Sequence, residues 1–149
     1  MGVIRILSGT IFCLVAVLLV ILFMTLGSLI SDISELLSLE IYQIIFYLTM
    51  HPYSSAMLGL WIVLIALVIG ALIGGLIARS TKGGIAVGFL ALAILFMLYL
   101  GITWNFNFNA MISYWTLLDT SIYLDIIISF IILVSLGAIG GKLTSSIRD

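Results

Sequence analysis

Four apolar stretches, at about residues 3–26, 55–78, 85–103 and 121–141, occupy more than half of this chain. About 20 consecutive apolar residues in a helix span the ~30 Å hydrocarbon core of a bilayer, and each stretch is of that length. The rest of the composition leaves no other solvent. The chain is 64% hydrophobic and 7% charged, whereas a soluble domain carries about 25% charged residues. The reading is an all-α polytopic membrane protein, a four-transmembrane-helix bundle. Its connecting segments are too short for a separate soluble domain, so residues 1–149 form a single membrane domain.

Charge placement orients the bundle. Arg5 precedes the first stretch, Arg79 and Lys82 lie between the second and third, and Lys142 and Arg148 follow the fourth. The two loops on the other side hold no Lys or Arg. They carry Asp32, Glu35, Glu40, Asp119 and Asp125, every acidic residue except Asp149. Basic residues are retained on the cytoplasmic side during insertion. The expected topology is therefore N-in/C-in, with both termini cytoplasmic and residues 31–53 and 104–120 outside. A net charge of −1 provides no basic patch for nucleic acid. The five basic residues are too scattered along the sequence for a polybasic lipid-binding cluster.

Leader and lipid-anchor signals are weak. Ile6 to Ile30 carries no charge, a longer run than the 7–15 residues of a signal-peptide core. Ile6 stands where a myristoylation signal needs Ser or Thr. No glycosylation acceptor is found.

The outer segments read as amphipathic. Asp32 with Glu35 resembles a helix cap, and Ile33, Leu36, Leu37, Ile41, Ile44, Ile45 and Leu48 recur at helical spacing, which suggests an interfacial helix. His51-Pro52 ends it. Ser54 or Ser55 is placed to cap the second span. In the second outer loop, the alternation of Trp104 to Asn109 suggests a short extended piece. Ala110, Met111, Tyr114, Trp115 and Leu118 then form an apolar stripe, and Asp119 or Ser121 caps the fourth span. One or two outer interfacial helices are expected. All three Trp and all six Tyr fall in the outer half, at headgroup level or against a docking partner.

The glycines form the strongest pattern. Gly70/Gly74, Gly84/Gly88 and Gly137/Gly141 are small-xxx-small pairs on three spans, all in the inner half, with Gly75 and Gly140 beside them. Lipid supplies no hydrophobic drive for helix association, so close backbone approach takes its place. The pairs pack either the monomer or contacts between subunits. The two halves also look alike, each a span, an amphipathic outer segment and a return helix ending in small residues. A repeat with its axis along the membrane normal and convergence on packing motifs both explain this.

Chemistry-bearing residues are few. Asp125 is expected as a first-turn carboxylate at the outer interface, where the positive end of the helix dipole favours it. The alternative is an entry site for a cation or proton. Glu40 falls within an apolar stripe, which fits a locally frayed or bent helix; the alternative is snorkelling or pairing with a partner's cation. His51 lacks the companion ligands that metal or haem needs and reads as an interface loop residue. Cys13 reads as a small core residue. No cofactor, metal or enzymatic chemistry is expected; action on lipid through Glu40, His51 or Asp125 is set aside. The glycine-rich hairpin from Gly70 to Gly88 looks like those of many small prokaryotic membrane proteins, which implies a prokaryotic cytoplasmic membrane.

The functional expectation is a structural or accessory integral-membrane subunit of a larger membrane complex, or a self-assembling scaffold. Its partners would be membrane lipids, other integral-membrane subunits or copies of itself. Glu40, Trp104, Trp115 and Asp125 are the candidates for partner contact. The alternative is a small channel or transporter whose pathway forms between subunits.

Overall fold

The computed structural model describes residues 2–23, 38–117 and 121–147. Among these the chain is all-helical, without a strand. Seven helices follow in order: α1 (Gly2–Ile21), α2 (Leu39–Met50), α3 (Pro52–Met57), α4 (Ile62–Ala78), α5 (Thr81–Trp104), α6 (Phe108–Leu117) and α7 (Ser121–Ser146). Three helical segments, Gly2–Ile21, Thr81–Trp104 and Ile122–Ser146, are long and apolar enough to cross a membrane. The fourth long helix, α4, has 17 residues and so spans about 26 Å.

α1, α4, α5 and α7 form the bundle. α4 packs on α1, α7 and α5, and α5 packs on α7 and α1. α4 and α5 thus hold the centre, with α1 and α7 outside them. One end of the bundle carries the start of α1, the α4–α5 turn and the end of α7. The other, which we call the cap end, carries α2, α3 and α6.

Small residues at a spacing of four let the helices meet backbone to backbone. On α1 the buried line is Gly9, Cys13, Val17 and Ile21. A Cβ on Gly74 would lie 2.8 Å from the Gly9 carbonyl oxygen, and one on Gly9 would lie 2.6 Å from that of Gly74. On α7 the line runs Asp125, Ser129, Leu133, Gly137, Gly141, all buried. Gly137 is a three-helix junction: a Cβ on either Gly75 or Gly84 would collide with its carbonyl oxygen. A Cβ on Gly88 would lie 2.5 Å from the Leu133 carbonyl oxygen, one on Gly140 would lie 2.6 Å from that of Leu72, and one on Gly141 would collide with the Ser80 backbone. Gly70 faces Val17 and the Cys13 carbonyl. All eight glycines singled out by spacing therefore touch neighbouring elements of the same chain.

Several boundaries differ from the sequence reading. The second stretch is interrupted: α3 ends at Met57 and α4 begins at Ile62, with Gly59 at φ 86 between them. α5 starts at Thr81 rather than near Ile85, because the Ser80 hydroxyl accepts the Gly83 N–H at 3.0 Å and caps the helix ahead of its glycines. α7 runs on to Ser146. The Trp104–Asn109 segment is not extended. Asn105 and Phe106 take left-handed backbone, and the Asn107 side chain accepts the Ala110 N–H at 3.1 Å, capping α6. Short polar side chains make such local turns at little cost, which overrides a six-residue alternation. The proposed caps at Asp32, Glu35 and Asp119, and the end of the first stretch at residues 24–26, lie outside the described residues.

Candidate functional site

Two short helices meet at a sharp corner, His51-Pro52, at the cap end. The corner packs against Tyr99, five residues before the end of α5, and Asp125, four residues into α7. It therefore sits about 6–8 Å along those helix axes from their ends. A helix start placed inside an apolar bundle has a problem. Its first N–H groups have no intrahelical acceptor, and an unsatisfied backbone group away from water costs several kcal/mol. Proline at the first position of α3 removes one donor. Tyr53 and Ser54 still present theirs.

Asp125 resolves this from a different helix. Its Oδ1 accepts the Tyr53 N–H at 2.7 Å and the Ser54 N–H at 3.0 Å. Its Oδ2 accepts the Ser54 hydroxyl at 2.7 Å and His51 Nδ1–H at 3.1 Å. A carboxylate offers about four acceptor positions, and here four donors take them. Asp125 is fully buried and His51 is 2% exposed. Because Oδ2 only accepts, Nδ1 carries the proton. Nε2 then faces the Tyr99 hydroxyl at 3.4 Å.

Aromatic rings enclose this line of Asp125, His51 and Tyr99. Tyr47 lies 4.4 Å from His51 and Trp104 lies 6.5 Å from Tyr99, centroid to centroid. The Tyr47 and Tyr114 hydroxyls meet at 3.2 Å and join α2 to α6. Burial, and then the Tyr114 hydroxyl, push the Tyr47 phenol above its ordinary range, so it stays neutral and available as a donor. Gln43 Nε2 donates at 3.1 Å to the Ile102 carbonyl, one of the last acceptors of α5 left free by the helix. Together these contacts moor α2, α3 and α6 to α5 and α7.

Asp125 is not at an open interface, and it is not available to a partner; both expectations are corrected. It lies inward because the donors of the α3 start need an acceptor there. His51 does connect two helices, as a loop residue would, but it is buried at the pivot of the corner rather than open at the interface. Trp104 and Trp115 are half-buried, with their indole N–H groups enclosed and without a hydrogen-bond partner of good geometry among the described residues. Glu40 is exposed on α2 and joins none of this. Sequence reasoning missed the role of Tyr99, Tyr53 and Ser54. The available signal was proline at a helix start within an apolar region, which demands a remote acceptor.

Chemically the arrangement is closed. His51 Nε2, the atom that would act as a base, is occupied by Tyr99. Among the described residues no group of three or more His, Cys, Asp or Glu side chains could hold a metal ion. His51 and Asp125 alone supply two ligands, one short of an ordinary catalytic zinc site.

The fold defines an all-helical bundle with three candidate membrane-spanning helices. The chain matches no protein-family model, no curated protein and no solved structure.

Proposed function

We propose that this protein is a structural or accessory subunit of a larger complex in a prokaryotic cytoplasmic membrane. In this reading α1, α4, α5 and α7 all cross the bilayer, with the termini cytoplasmic and the cap end outside. α4 is shorter than the other spans, and α3 completes its path through the outer leaflet.

One observation carries the reading: Asp125, the deeper of the two carboxylates among the described residues, has all its acceptor capacity taken by its own chain. A carboxylate that binds an ion or shuttles a proton needs a free lone pair and a continuing polar path. Among the described residues, no ionisable side chain other than Cys13 continues inward along α1, α4, α5 or α7 between that level and the opposite end. The polar cluster therefore serves architecture. The cap end also turns large apolar side chains outward: Met57, Leu58 and Trp61 at the α3–α4 corner, and Phe106 and Leu117 around α6. These, with Glu40, are the contact surface we assign to a partner. The glycines are already occupied within the monomer, so they are not that surface.

Topology and assembly are tested separately. With Cys13 replaced, single cysteines at Thr81 and Ser113, both exposed, are probed in intact cells with a thiol reagent that cannot membranes pass. Labelling at position 113 but not at 81 is expected; the reverse overturns the orientation. After gentle detergent extraction the protein is expected to migrate with a stoichiometric membrane partner, or as a defined homo-oligomer, and to give no ion flux in liposomes. A monomer that conducts ions would overturn the subunit reading and favour a transport pathway.

A further inference from the structure

At the end of the bundle opposite the cap, α1, α4 and α7 leave an open cleft of about 550 Å³. Arg5 and Arg79, far apart in sequence, both line it, with Ser8 and Thr144 beside them and Ile4 and Leu76 as apolar walls. The scatter of basic residues along the sequence is thus gathered by the fold. The only acidic residues described, Glu40 and Asp125, lie at the cap end, and neither arginine forms a salt bridge among the described residues.

Arg79 is held there against its backbone preference. It ends α4 in the left-handed conformation, φ 54, with its N–H bonded to the Gly75 carbonyl. Glycine is the residue that takes this position without penalty. A non-glycine residue in such a conformation points to a use for its side chain. Arg5 is half-buried, and Arg79 is exposed like Lys82 and Lys142 at the same end, but only the two arginines line the cleft.

We propose that this cleft binds the phosphate of an anionic phospholipid in the adjacent leaflet, between the Arg5 and Arg79 guanidinium groups. Guanidinium forks pair with phosphate oxygens through two parallel hydrogen bonds. Ser8 lines the same cleft, and the lipid's hydrocarbon chain runs along Ile4 and Leu76. The site rests on the membrane reading given above but not on which side this end faces, nor on any partner subunit.

The test uses delipidated full-length protein in detergent micelles, titrated with dioleoylphosphatidylglycerol, dioleoylphosphatidylcholine and inorganic phosphate, with bound species read by native mass spectrometry. Wild type is expected to retain one phosphatidylglycerol in preference to phosphatidylcholine, with millimolar phosphate failing to displace it. Each arginine near the membrane surface contributes about 1 kcal/mol, or about fivefold in affinity. Arg79→Gly is expected to weaken binding about fivefold while its thermal stability holds or rises, because glycine relaxes the strained position. Arg5→Ala/Arg79→Gly is expected to lose more than about tenfold. Lys82→Ala/Lys142→Ala removes the same charge from the same end and is expected to change binding by less than about twofold, since neither lysine lines the cleft. Equal losses in the two double variants would overturn the proposal and leave only diffuse attraction. Unchanged binding in Arg79→Gly, or displacement by free phosphate, would also overturn it.

Discussion

Asp125→Ala is expected to destabilise the protein by about 3–5 kcal/mol, since each buried donor left without its acceptor costs about 1–3 kcal/mol. Four donors lose their acceptor at once: the Tyr53 and Ser54 N–H groups, the Ser54 hydroxyl and His51 Nδ1–H. In detergent the melting transition should fall on the order of 10 °C. Asp125→Asn should cost less, about 1–2 kcal/mol, because the amide oxygen still accepts from Tyr53 and Ser54 while its NH₂ confronts His51 and the Ser54 hydroxyl. The ordering alanine well below asparagine, and asparagine below wild type, is the signature of an acceptor role. Equal melting of all three would remove Asp125 from the architecture.

The second large effect is expected at Gly137. It meets Gly75 of α4 and Gly84 of α5 backbone to backbone, so a side chain there has no flexible neighbour to displace. Overpacking a core typically costs about 1–3 kcal/mol when side chains give way. Gly137→Leu should reach or exceed about 3 kcal/mol, since whole helices must separate. Gly2→Leu, where nothing lies within 4 Å, should change stability by less than about 0.5 kcal/mol. Thermal melting of the two variants in the same micelles compares them directly. Equal melting would mean that the α4–α5–α7 junction opens without cost.

The glycines could be singled out in the sequence because lipid simplifies the code. With no hydrophobic drive between spans, close packing falls to small residues at a spacing of four, and Gly70, Gly74, Gly84, Gly88, Gly137 and Gly141 stand out by that spacing alone. The long apolar helices were readable from the same physics. The corner was not. His51 and Asp125 are 74 residues apart, and each resembles something ordinary in its own neighbourhood: a histidine before proline looks like a loop, and an acid near a helix start looks like a dipole partner. Their meeting depends on α3 starting inside the bundle, which hydropathy does not encode, since the apolar run from residue 55 reads as one continuous span. Arg5 and Arg79 were hidden for the same reason. Only the packing of α1 on α4 brings them to one cleft.

The central claim is that Asp125 is consumed in holding the α3 corner. Amide hydrogen exchange at Tyr53 and Ser54, in wild type and in Asp125→Asn, tests it most directly. Both amides should be strongly protected in wild type, and in the variant they should exchange faster while the amides of α5 around Val87 and Gly88 keep their protection. Tyr53 and Ser54 amides that exchange freely in wild type, or at the same slow rate in both proteins, would contradict the account.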